Sequence, residues 1–106
     1  ARESDQQLVI AAIADNRELL AVGTSLGAHI AAGILHQQIE ALGGSIEPVA
    51  ADPAVSSLAQ FKAMLKARSQ QRQQDAVSAA SSDLAQTLAS LAAGLAQLAA
   101  SPEKAL

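Results

Sequence analysis

Leucine recurs at positions 84, 88, 91, 95 and 98, with small Ala and Ser residues filling most of the positions between. Spacings of four, three, four and three belong to a helix laid at a shallow angle against neighbouring helices. Phe61 is the sole aromatic and Met64 the sole Met, so no large side chains are on hand to plug a core. Such helices must approach closely to close the gaps between them. Ala, Leu, Gln, Glu, Lys and Arg dominate, and no run alternates in polarity with period two. The expected fold class is all-α, an antiparallel four-helix bundle, with residues 1–106 forming a single alanine-rich domain.

Punctuation along the chain sets the helix boundaries. Ser4 or Asp5 opens a first helix to about Ala21, its acidic start suited to the positive end of the helix dipole. Val22-Gly23-Thr24-Ser25-Leu26-Gly27 reads as a break, with Thr24 or Ser25 as the next N-cap; one kinked helix through it is the alternative. Gly43-Gly44 closes the second helix. Asp52-Pro53 reads as N-cap plus Pro at the first helical position, opening a third helix to about Ala79. Ser81-Ser82-Asp83 caps the last helix, which Ser101-Pro102 stops near Ala100. A continuous first pair would make a long hairpin whose leucine seam demanded a dimer.

Composition removes several classes of function. A formal charge of −3 and a single aromatic argue against nucleic-acid binding, which needs a basic stripe and stacking platforms. No Cys is present, which excludes disulfide scaffolds, thiolate metal sites and cysteine nucleophiles. No apolar run approaches the ~18 residues of a membrane span. A chain that begins at Ala1 reads as an excised or processed fragment, compatible with an upstream signal peptide or membrane anchor. No serine sits in Gly-x-Ser-x-Gly, and the glycines lack the lysine of a phosphate loop.

The stretch from His29 to Gly44, ending Glu40-Ala41-Leu42-Gly43-Gly44 before a Pro-containing loop, resembles the alanine-rich secreted proteins or lipoproteins of actinobacteria. Arg68, Arg72, Ser82-Asp83-Leu84-Ala85 and Leu88-Ala89-Ser90-Leu91-Ala92-Ala93 extend the resemblance over most of the chain. It implies a ferritin-like bundle outside the cytoplasm, in a family without an assigned biochemical role. Relatives often keep an acidic residue and a His where this chain has Gly94 and Leu98. The inward Glu-x-x-His pairs of di-iron bundles are missing too: Glu18 is followed by Ala21 and Glu40 by Gly43.

Two polar constellations stand out. His29, Gly33, His36 and Glu40 share one stripe of the second helix. His29, His36 and Glu40 are thus candidate metal or haem ligands, with Asp15 or Glu18 as a further ligand, or else the solvated strip of that helix. On the third helix Leu58, Phe61, Leu65, Arg68, Arg72 and Ala76 share a stripe. Arg68 and Arg72 there either reach past the core into solvent, pair with Asp15 or Glu18, or bind an anion or partner. The polar run Lys66–Asp75 reads as a solvated face.

These observations favour a non-enzymatic extracytoplasmic module, secreted or anchored in the cell envelope, that binds a protein or self-associates through helical surfaces and needs no cofactor. A degenerate ferritin-like metal or haem binder and a carrier of lipid or another apolar ligand are the alternatives.

Overall fold

The computed structural model describes residues 4–106, and four helices account for most of them. Helix α1 spans Asp5–Ser25, α2 His29–Ala41, α3 Leu58–Ser78 and α4 Ser82–Ala100, with a short 3₁₀ turn at Glu103–Ala105. No strand occurs among the described residues. The fold is the expected antiparallel four-helix bundle.

Local chemistry fixes the starts. Ser4 Oγ accepts from Gln7 N–H at 3.2 Å while Gln7 Oε1 accepts from Ser4 N–H at 3.2 Å, a reciprocal capping box. Ser57 and Gln60 repeat it at the head of α3. Ser81 caps α4 by accepting from Leu84 N–H. Helix α2 is different: its N-cap, Ala28, has no acceptor side chain. The carbonyl oxygen of Leu106 takes that role, accepting from Ile30 and Ala31 N–H at 2.8 and 3.0 Å, and the Leu106 side chain is buried.

Two boundaries differ from the sequence reading. Helix α1 runs through Gly23 and Thr24 to Ser25, so neither Thr24 nor Ser25 caps α2. Gly23 is packing, not punctuation: a Cβ there would meet Phe61 Cζ at 3.0 Å. The chain reverses instead at Gly27, whose φ of +74° suits glycine, and α1 and α2 form a hairpin about it rather than one kinked helix. The second difference is at Asp52-Pro53. Asp52 Oδ1 accepts from Ala54 N–H at 2.9 Å and its carbonyl from Val55 N–H, a closed turn that ends before α3 begins at Leu58. By contrast, Gly43 (φ +80°) ends α2 as expected.

Helix α1 pairs closely with α2, and α3 with α4; α1 also lies along α3, and α2 along α4. Contacts along α1 and α3 run in opposite directions: Asp5 meets Ala80, Asp15 meets Arg72, and Gly23 meets Phe61. Helices α2 and α3 are therefore diagonal and parallel, and residues 42–57 must travel the length of the bundle to join them. This strap lies over α1, with Gly44 against Ile13 and Ala51 near Leu20 and Thr24. Arg17 fastens it, donating to the Ser45 carbonyl at 2.9 Å and pairing with Glu47 at 2.9 Å.

The leucine seam is internal: Leu88, Leu91, Leu95 and Leu98 are buried. The glycines supply a stability test. Gly33, exposed in mid-helix with open space around its Cα, should gain about 1 kcal/mol as Gly33→Ala. Gly27→Ala should lose about 1–2 kcal/mol through its left-handed backbone. Urea unfolding of the two variants measures both signs.

Candidate functional site

The apolar core is divided. One cluster contains Leu19, Val22, Leu35, Phe61, Leu65, Leu95, Leu98 and Leu106; the other contains Leu8, Ala12, Leu88 and Leu91. Between their levels, α1, α2 and α3 turn polar side chains inward. Asp15 and Asn16 come from α1, Gln38 from α2, and Ser69, Arg72 and Asp75 from α3, while α4 offers only backbone carbonyls.

Arg72 is the centre of this layer and only 2% exposed. Its Nη1 donates to Asp15 Oδ2 at 2.8 Å, and its Nε and Nη2 both reach Asp75 Oδ2, at 3.0 and 2.9 Å. Asp75 also accepts from Gln71 Nε2 at 3.0 Å. Asp15 bridges onward to Arg68 at 3.5 Å, and Arg68 to Glu18 at 3.1 Å. A guanidinium taken out of water carries a desolvation penalty of several kcal/mol, which close, hydrogen-bonded carboxylates offset. Arg68 and Arg72 thus pair with Asp15 and Glu18, one of the arrangements the sequence left open, and Asp75 is an additional partner. The polar run Lys66–Asp75 is correspondingly not one solvated face, since Ser69, Arg72 and Asp75 are buried in it.

A neutral relay completes the layer. Asn16 Nδ2 donates to Gln38 Oε1 at 2.8 Å, and Gln38 Nε2 donates to the Leu91 carbonyl at 3.3 Å. Ser69 Oγ donates to the Ala92 carbonyl at 2.9 Å. Gly94 makes room for the relay, because a Cβ there would stand 2.8 Å from Gln38 Nε2. Among the described residues no buried side-chain nitrogen or oxygen lacks a partner.

The imidazoles lie elsewhere. His29, Gly33, His36 and Glu40 all face solvent on the outer side of α2. Asp15 and Glu18, the carboxylates considered as further ligands, face α3 and its arginines. Among the described residues no three His, Asp or Glu side chains gather as a metal site.

No protein-family model, curated protein or solved structure matches this chain. The geometry itself therefore carries the functional reading.

Outside the core, two hollows flank the strap. One, about 380 Å³, is lined by Ala14, Asp15, Arg17, Glu18, Val49 and Ala50. The other, about 390 Å³, is a mostly apolar groove between Leu20, Ala21 and Thr24 of α1 and Ile46, Pro48, Val49 and Ala51 of the strap. Neither was visible in the sequence, because the strap's path over α1 follows from the diagonal placement of α2 and α3.

The ion-pair layer has a double-edged energetic signature. Arg72→Met alone should cost about 3–5 kcal/mol by leaving Asp15 and Asp75 facing an apolar side chain. Changing Asp15→Leu, Arg72→Met and Asp75→Leu together should recover most of that loss. Chemical denaturation of both variants would reveal this non-additivity.

Proposed function

We propose that the chain is a non-enzymatic, extracytoplasmic helical-bundle module that acts by binding a protein partner through its outer surface. The observation that carries this reading is the division of labour between inside and outside. Interior polar groups are engaged with one another, while Ile10, Ile30, Ile46, Val49 and Val77 leave large apolar side chains exposed. Of these, Ile46 and Val49 share one groove with Leu20 and Ala51, and a contiguous apolar surface rimmed by polar groups is a feature of protein-interaction sites.

The ferritin-like component of the reading is supported by connectivity. Ferritin-like bundles have one long crossover, and the strap joining α2 to α3 is of that kind. In di-iron bundles the inward carboxylates hold metal ions. Here the inward carboxylates Asp15 and Asp75 hold a guanidinium, that of Arg72. The secreted or envelope-anchored location rests on the resemblance to alanine-rich actinobacterial proteins.

Photo-cross-linking in the native host tests the interaction reading. A photoreactive residue placed singly at Ile10, Ile30, Val49 and Val77 should give, at one or more positions, a discrete adduct with one identifiable protein. Failure at every position, or a catalytic turnover abolished by changing a groove residue such as Leu20, would overturn it.

A further inference from the structure

Helices α1, α3 and α4 each begin at a serine whose side chain caps the helix, and α2 does not. N–H groups in the first turn of a helix have no acceptor within it. For α2 the acceptor is brought from the other end of the chain: Leu106 C=O takes Ile30 and Ala31 N–H at 2.8 and 3.0 Å. The Leu106 side chain, 6% exposed, joins the cluster that holds Leu19, Val22, Leu35 and Leu98.

Residues 101–106 reach this place as a small turn of their own. Ala105 N–H donates to the Pro102 carbonyl and Leu106 N–H to the Glu103 carbonyl, at 2.9 and 3.2 Å. Ser101 bonds only to carbonyls of its own helix, those of Gln97 and Leu98. Pro102, Glu103, Lys104 and Ala105 are all exposed. Among the described residues, Leu106 is thus the segment's single buried anchor on the bundle. One side chain and two hydrogen bonds stand against the entropy of ordering the segment, whereas each helix is held along its whole length. Elements held by so few buried contacts open at far lower free energy than the fold as a whole.

We infer that residues 101–106 are a latch that opens while the four helices stay packed. Closed, it fixes the first turn of α2 and seals the larger apolar cluster. Open, it gives the Ile30 and Ala31 N–H groups to water, frays that turn and uncovers the place filled by Leu106. Order at the head of α2 is thereby switched by a segment distant in sequence. Ile30, 59% exposed, stands on this turn. Its presentation to a partner rests on the function proposed above; the latch itself does not.

Hydrogen exchange of the unaltered chain at rising, sub-denaturing urea tests the latch directly. The Ile30 and Ala31 amides should be protected, yet exchange at least about ten-fold faster than Leu35 and Leu95, at a rate insensitive to urea. Leu35 and Leu95 should accelerate with urea as global unfolding does. Leu106→Ala keeps the carbonyl and removes the anchor. It should speed exchange at Ile30 and Ala31 roughly ten-fold or more. Its amide shift changes should stay within the head of α2 and residues 101–106. Ile30 and Ala31 exchanging at the rate and urea dependence of Leu35 would overturn the inference, as would no protection there at all. So would a Leu106→Ala variant with unchanged exchange at these amides, or one whose Asn16 and Gln38 signals also move. Each of these results leaves the cross-linking test of partner binding untouched.

Discussion

Arg72 sits where a bundle of this make-up would be expected to hold a leucine, and much of the architecture accommodates that choice. A guanidinium at that depth requires carboxylates within hydrogen-bond reach, so Asp15 of α1 and Asp75 of α3 are turned inward. The Asp15 pairs with Arg72 and Arg68 cross from α1 to α3 and so help fix how far one is slid along the other. Sliding by one helical turn, about 5.4 Å, would strand the charge. The seat of Phe61 against Gly23 marks the same alignment from the apolar side. In a core assembled from Ala and Leu, the polar layer supplies the specificity that interlocking large side chains give elsewhere.

The same layer accounts for features of the other helices. Gln38 bridges Asn16 and the Leu91 carbonyl, tying α1, α2 and α4 together at one level. Gly94 suits this level because a methyl group there would displace the Gln38 amide from its place. The pairing of α1 with α3 places α2 diagonal to α3, and the strap has to cross the bundle lengthwise. A segment that crosses a helix without forming its own secondary structure leaves backbone groups open and apolar side chains half covered. The surface groove is therefore a consequence of the topology that the buried layer secures.

Much of the fold was legible in the sequence. The α4 seam, its Ser81 cap, the Ser101-Pro102 stop and the Gly43 terminus rest on local chemistry, and each stands in the structure. The misplaced boundaries also have local causes. Asp52-Pro53 suits a tight turn as well as a helix start, whereas Ser57-x-x-Gln60 was the stronger signal for α3. Gly23 resembled a break because its role, making room for Phe61, is a tertiary contact. The Arg72 site was half visible. Its position on an apolar stripe marked it, and Asp15 was a candidate partner. Asp75 was hidden in a run whose polarity suggested solvent, since residue type alone does not separate a solvated carboxylate from a buried one.

A buried charge network and an open apolar surface place different demands on evolution. The network tolerates little change to one member, because each partner is held by the charge of another. The strap is constrained differently: Arg17 and Ile13 hold Ser45 and Gly44 to α1, Leu42, Ala51 and Val55 pack against the core, and Ile46 and Val49 are left exposed. The interior thus fixes the path of the strap between α2 and α3, and that path sets where Ile46 and Val49 meet solvent.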